Sequence, residues 1–140
     1  MGFSFSKLFG KTESTPSDTI ESIIEDVEHK PYGVSESNVL FAGLNDLGGY
    51  FFFQTVIVGT LKVKRKNGAK LTFKGKDFEL VLSSDSLEFE SNPTGNKNRY
   101  ATNIDFQVEE SDIKRLEKAT LKEILLNVKG KEILFSRYTK

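Results

Sequence analysis

From Val34 to the end of the chain, apolar and polar side chains alternate in short runs, which turn-forming residues interrupt about every 8–12 residues. Alternation with a period of two is typical of strands that bury one face. The clearest runs are Phe78–Leu82, Tyr100–Val108 and Leu121–Val128. This pattern predicts a mainly β fold, which we expect to be an antiparallel β-sandwich or partly open barrel of about seven strands with two short peripheral helices.

Two segments follow the helical period instead. In the first, four apolar residues recur at positions i, i+3, i+4 and i+7, and Ser17 or Asp18 can cap its start. These four residues are Ile20, Ile23, Ile24 and Val27. The second helix is predicted over residues 109–118, with Ser111 as a possible cap. We expect both helices to cap the ends of the sheet or to close an opening in it.

The dipeptide Asn67-Gly68 is the strongest hairpin signal, because both residues tolerate the positive φ of a tight turn. It predicts a hairpin in which residues 60–66 pair with residues 69–73. Gly59 is expected to form a bulge or a bend that lets the long strand from Tyr50 to Lys66 change direction.

Two further segments are predicted to be loops, Gly43–Gly49 and Ser91–Arg99, because both are rich in Gly, Asn and other turn residues. A last hairpin is predicted between residues 121–128 and 132–138, whose inward positions are apolar.

The length of 140 residues suits one domain, and residues 10–19 have no aliphatic or aromatic side chain. We therefore expect a flexible N-terminal segment over residues 1–16 and a single β-rich domain over residues 17–140. The sequence has neither a secretory signal pattern nor an apolar run of about 18 residues, so the cytoplasm is the expected location.

The sequence gives little support for a catalytic site or a metal site. The chain has no Cys and one His, which excludes disulfides, thiol catalysis and a site with two His ligands from one chain. The nucleophile-elbow, Walker A and dinucleotide-binding patterns are missing from the sequence. His29 follows the first helix, where a His usually caps or is solvated. We expect no enzyme activity, no cofactor and no metal site.

Charge is segregated along a chain whose net charge is zero. Residues 61–76 hold seven basic side chains and no acidic one. Five of the lysines would form a patch on the predicted hairpin, and such a row suits the phosphates of lipids or nucleic acid. They are Lys62, Lys64, Lys66, Lys70 and Lys74. The alternative is a solvated edge that Lys protects from pairing, neutralised by acidic residues on neighbouring strands.

The first residues are unusually apolar for a terminus. Gly2 and Ser6 fit the N-myristoylation pattern, and Phe5, Leu8 and Phe9 would share one face of a helix. This segment is expected to be a disordered tail, to dock on the domain, or to contact a membrane with or without acylation of Gly2.

The combined pattern favours a non-enzymatic binding or interaction module, whose partner is another protein or an anionic membrane surface at the inner face. The alternative is a small β-barrel that carries an apolar or anionic ligand, and a nucleic-acid binder ranks third. An apolar cavity would favour the carrier, and an exposed apolar patch would favour the protein partner.

Overall fold

A computed structural model describes residues 19–27, 29–65, 68–86, 88–95, 99–128 and 131–138. The predicted N-terminal segment, residues 1–16, lies outside the described residues. The elements in chain order are α1 (Ile20–Asp26), β1 (Gly33–Val34), β2 (Asn38–Leu47), β3 (Tyr50–Gly59), β4 (Lys64–Arg65), β5 (Lys70–Gly75), β6 (Phe78–Ser83), β7 (Phe89–Pro93), β8 (Tyr100–Val108), α2 (Glu110–Lys118), β9 (Leu121–Val128) and β10 (Lys131–Arg137).

Within these ranges, nine strands form an antiparallel sheet that curls into a half-barrel, and the two-residue β4 pairs with β7 at its edge. The strand order is β4-β7-β8-β3-β2-β1-β10-β9-β5-β6. Ser84, just after β6, bridges Phe106 of β8, so the far edge of the sheet curls back towards β8. The predicted mainly β fold is confirmed in its partly open barrel form, although the described residues form ten strands and the sequence predicts about seven.

The concave side of the sheet is filled by the main hydrophobic core. Phe73, Phe106 and Phe135 are fully buried there, and each such side chain contributes about 1.5–3 kcal/mol relative to exposure. The Tyr32 ring meets those of Phe53 and Phe73 edge-on, with centroids 5.3 and 6.3 Å away. Aromatic and aliphatic side chains therefore occupy the interior of the half-barrel.

Arg137 packs over the Tyr32 ring of this aromatic cluster. Its guanidinium lies 4.1 Å from the centroid of the Tyr32 ring and donates hydrogen bonds to the carbonyl oxygens of Tyr32 and Tyr138 at 2.8 and 2.9 Å. Burial raises the pKa of the Tyr32 phenol, and the positive charge of Arg137 opposes this rise.

Helix α1 covers part of the convex side. Ile23 is 1% exposed and packs into a second cluster with Val39, Phe41 and Val58 of β2 and β3. The Thr19 side chain caps the helix by accepting a hydrogen bond from the Ser22 amide at 3.1 Å. The cap thus lies after the predicted Ser17 or Asp18, both of which are outside the described residues.

Helix α2 joins β8 to β9 and confirms the predicted second helix within one residue. Ile113 and Leu116 pack against the main core, and the Arg115 guanidinium lies 5.2 Å from the centroid of the Phe78 ring. The N-cap is Glu109, without a side-chain capping hydrogen bond, so the predicted cap at Ser111 is wrong.

The hairpin predicted at Asn67-Gly68 is also wrong. The first predicted strand supplies β4, which pairs with β7, while β5 pairs with β6 on one side and with β9 on the other. Both edges of β5 are therefore occupied. Pairing with β6 and β9 buries Leu71 and Phe73 completely, which outweighs the short-range strand pairing that a hairpin would provide.

Both predicted loops contain strand residues. β2 continues to Leu47 and pairs with β3 along its whole length, and the turn occupies only Gly48 and Gly49, both with positive φ. β7 extends to Pro93 against β8. Ten consecutive pairings along β2 outweigh the weak strand propensity of its Gly, Asn and Asp residues. At Gly59 the predicted long strand ends instead of continuing through a bulge or bend. The predicted final hairpin is confirmed by the pairing of β9 with β10.

Candidate binding groove

A cavity of about 370 Å³ lies on the convex side of the sheet, between strands β3 and β8 and the segment that leads into β7. Its polar lining includes three carboxylates, two amides and the Ser86 hydroxyl, and its apolar lining includes Val56 and Phe89. Thr55 and Ile104 border the cavity, although their side chains are buried on the concave side of the sheet. The lining residues are Gln54, Thr55, Val56, Asp85, Ser86, Glu88, Phe89, Asn103, Ile104 and Asp105.

The alternation of β3 and β8 explains the floor of this cavity. Phe53, Ile57 and Ile104 point into the main core, so their neighbours in the strands face the convex side. The β3–β8 register places Gln54 opposite Asp105 and Val56 opposite Asn103. Thr55 adds a side-chain link between the two strands, because its buried hydroxyl donates a hydrogen bond to the Ile104 carbonyl oxygen at 2.6 Å. The floor is therefore part of the rigid sheet.

One wall of the cavity is a turn held by its own hydrogen bonds. The Asp85 amide donates to the Asp105 carbonyl at 2.7 Å, which fixes the turn to β8. The Ser86 hydroxyl donates to the Glu88 carbonyl at 2.8 Å and accepts from the Glu88 amide at 3.1 Å. Phe89 then enters β7 and packs against the main core. These contacts hold the carboxylates of Asp85 and Glu88 above the floor.

A second cavity, of about 230 Å³, continues along the same convex face. It shares Gln54 and Val56 with the larger one, and it is bounded by β2 and by the chain that leaves α1. The Asn45 amide donates to the Gln54 side chain across β2 and β3, so these amides orient each other. The residues found only in this cavity are His29, Lys30, Phe41, Ala42, Gly43 and Asn45. We call the two cavities together the outer groove.

The outer groove has opposite charges at its two ends. Asp85, Glu88 and Asp105 lie at one end and are exposed, and His29 and Lys30 lie at the other and are also exposed. Among the described residues, no Lys or Arg side chain forms an ion pair with these three carboxylates. The arrangement suits an elongated ligand that brings a cationic group to the acidic end.

The five predicted lysines do not form one row on a hairpin. Lys62 is exposed, with its ammonium 5.5 Å from the centroid of the Tyr100 ring, and Lys64 lies opposite Glu90. Lys66 is outside the described residues. Lys70 and Lys74 lie on β5, on the convex face. Polyanion binding by these lysines stays a prediction.

The acidic neighbours expected to neutralise the lysines occur in part. Lys74 of β5 lies opposite Glu79 of β6 on one side and Glu123 of β9 on the other. Lys70 lies opposite Ser83 and Asn127, which are neutral. The proposed membrane residues Gly2, Phe5, Leu8 and Phe9 lie outside the described residues, so their role also stays a prediction.

The groove residues were not selected from the sequence. Asp105 alternates with the buried Ile104 and Phe106 and is exposed. His29, which the sequence places after the first helix, lies three residues beyond the end of α1 at Asp26. Gln54 and Asp105 lie opposite each other only because β3 and β8 are neighbours in the sheet. No local pattern marks that pairing, since β3 is followed by four other strands before β8.

Over the described parts of the chain, no group of three or more His, Cys, Asp or Glu side chains is placed to hold a metal ion. None of the described helices has the length and apolar character that crossing a membrane requires. Comparisons with protein-family models, with curated proteins and with solved structures give no match to this chain.

Proposed function

We propose that this protein is a non-enzymatic binding module that holds a segment of a partner polypeptide in the outer groove. The observation that carries the proposal is the groove itself: a concave site on a rigid sheet, with polar and apolar walls and a charge difference between its ends. The proposed location is the cytoplasm, where the N-terminal segment would be the point of contact with the inner membrane face.

The carrier alternative has less support. A barrel that carries an apolar ligand needs space inside the sheet, whereas here Phe53, Phe73, Phe106 and Phe135 occupy that space. The two cavities lie on the opposite, convex side of the sheet. Binding on this side requires no opening of the core.

The chemistry of the groove indicates the kind of segment it would bind. Asp85, Glu88 and Asp105 can accept hydrogen bonds from a Lys or Arg side chain, while Phe89 and Val56 offer contacts to its methylene groups. The side-chain amides of Asn45 and Gln54, in the middle of the groove, can bond to peptide groups. An acidic residue of the same segment would lie near His29 and Lys30. The proposed ligand is an extended peptide with a basic residue.

Selection from a displayed library of random linear peptides tests this proposal. We expect selected peptides to contain Lys or Arg and to lose at least about tenfold in affinity for the Asp105→Lys variant, a change of about 1.4 kcal/mol, because the substitution removes a charge-assisted hydrogen bond and adds repulsion between like charges. Glu117→Lys is the matched control, because it makes the same charge change at an exposed position of α2 outside the groove.

Chemical-shift mapping with a selected peptide locates the site. We expect the largest changes at the backbone amides of Gln54, Asn103 and Asp105. Changes confined to another face of the sheet, or equal losses of affinity in Asp105→Lys and Glu117→Lys, would contradict the proposal.

A further inference from the structure

The convex face of β10, β9, β5 and β6 carries a row of three apolar residues and one Thr that runs across all four strands. The register places Leu134 opposite Leu125, Leu125 opposite Thr72, and Thr72 opposite Val81. Leu134 and Val81, at the two ends of the row, are each 50% exposed. We call this set the outer row; it lies on strands that do not contribute to the outer groove.

Polar rows flank the outer row on both sides. In register order from β10 to β6, one flanking row is Glu132, Asn127, Lys70 and Ser83. The other, in the same order, is Ser136, Glu123, Lys74 and Glu79. An apolar centre with a charged rim is the usual anatomy of a protein interface.

The described helices leave this face uncovered. Helix α1 packs on β2 and β3, and α2 packs at the end of the core beside Phe78. Isolated exposed apolar residues are common on protein surfaces, but here they are aligned in register across four strands. Such alignment produces a continuous, gently convex surface against which the same face of a second copy can pack.

We propose that the outer row is the interface of a two-fold homodimer, with the axis parallel to the strands and midway between β9 and β5. This rotation places β10 over β6 and β9 over β5 of the second copy. Leu134 then meets Val81 and Leu125 meets Thr72, each pair occurring twice by symmetry. All central contacts involve the apolar row or its Thr.

Charge complementarity selects this arrangement. The same rotation places Glu123 over Lys74 of the second copy, and it places Lys70 over a neutral residue, Asn127. A two-fold axis along the row itself would instead place Lys70 over Lys74 and Leu134 over Leu134. Like charges opposite each other disfavour that alternative.

The size of the face sets the expected affinity. Four strands at about 4.8 Å spacing, over about five residues each, cover roughly 300 Å² per copy, against about 800 Å² in a standard interface. We therefore expect a reversible dimer with a dissociation constant of about 10–500 μM, rather than a permanent one.

Sedimentation velocity of the full chain, from about 10 μM to about 1 mM, measures this equilibrium. We expect Leu134→Glu and Val81→Lys each to weaken the dimer at least tenfold, because each places a charge against an apolar residue. The two positions are three strands apart in one chain, so they do not contact each other within a copy.

A charge-swap experiment tests the register. In the proposed dimer, position 134 of one copy contacts position 81 of the other, so a mixture of the Leu134→Glu and Val81→Lys proteins should associate more tightly than either alone. The double variant should likewise regain association. Failure of both rescues would overturn the proposed register, even if the single variants weaken the dimer.

Two other results would overturn the proposal. The first is a full chain that stays monomeric up to about 1 mM. The second is a full chain that is monomeric and a variant without residues 1–16 that dimerises. This result would indicate that the protein's own N-terminal segment covers the outer row. Circular dichroism and thermal unfolding of each variant serve as controls that the fold is intact.

Discussion

Gly59 of β3 lies opposite Asn38 of β2, so close that a Cβ atom on Gly59 would be 2.7 Å from the Asn38 Cα. Gly59 has φ of +153°. The Asn38 side chain accepts a hydrogen bond from the Leu61 amide at 2.9 Å and donates to the Thr60 hydroxyl at 3.4 Å. This contact ends β3 and directs the chain away from the hairpin that the sequence predicts.

We expect Gly59→Ala to destabilise the protein by about 3 kcal/mol or more, because it combines an unfavourable φ with a backbone clash. Urea unfolding measures the change in free energy. Gly43→Ala is the control: a Cβ there meets no atom within 4 Å, and its φ is not positive. If Gly59→Ala lowers the free energy of unfolding by less than about 1 kcal/mol, β2 and β3 can move apart at this point with little energetic cost, which would contradict the prediction.

The relation between α1 and the loop before β8 gives a second prediction. The Arg99 guanidinium is 6% exposed and donates to the Asp26 carboxylate at 2.8 Å, but that carboxylate is 56% exposed. Solvent screening therefore limits the cost of removing it, and we expect Asp26→Ala to lose about 1 kcal/mol or less.

The effect of Asp26→Ala should be local. Hydrogen exchange should accelerate at the Ile23 and Val27 amides, which donate to carbonyls within α1 and its cap, before the sheet is affected. Glu25→Ala, at an exposed neighbouring position, is the control and should leave exchange in α1 unchanged. Uniform acceleration over the whole sheet would contradict a local role for this ion pair.

The sequence predicts those elements whose signal is local. The alternation of Tyr100–Val108 coincides with β8, and the apolar spacing around Ile113 coincides with α2. Burial of one face fixes both patterns, so each can be recognised without knowledge of its neighbours. The same reasoning accounts for the final hairpin, whose strands are close together in the chain.

Elements that depend on distant pairing could not be predicted in this way. β4 pairs with β7 because Val63 and Ser91 exchange hydrogen bonds, and neither residue carries a signal for the other. The outer groove has the same origin, since Gln54 faces Asp105 only when β3 and β8 are adjacent. The strand pairing that Asn67-Gly68 predicts does not form, because β5 pairs with β6 and β9 instead.

Tyr32 provides a prediction about alkaline pH. Burial raises the folded-state pKa of the Tyr32 phenol above its ordinary value of 10.0, so the folded protein retains this proton at a pH where the unfolded chain has lost it. The associated stability is complete below pH 10 and is lost as the pH rises through the folded pKa.

Tyr32→Phe should therefore change stability little at pH 7 and reduce the loss of stability above about pH 10. The ring contacts with Phe53 and Arg137 do not require the hydroxyl, which makes the substitution conservative. Urea unfolding at pH 7, 9 and about 11 measures the difference. Tyr138→Phe is the control, and identical pH profiles for the two variants would contradict the assignment to Tyr32.

The lysines of the basic segment give the last prediction. Lys62 faces solvent beside Tyr100, Lys64 lies opposite Glu90, and Lys74 lies between two glutamates. Because these charges are spread over separate strands and partly neutralised, we expect the wild-type protein to elute from heparin below about 0.5 M salt. Joint Lys62→Glu and Lys64→Glu substitution should lower the salt concentration of elution further. Lys114→Glu and Lys118→Glu on α2 provide a control with the same change in net charge.

Elution of the wild type above about 0.5 M salt would instead require several phosphate-like contacts made together. It would then favour a polyanion as the partner over a polypeptide in the outer groove.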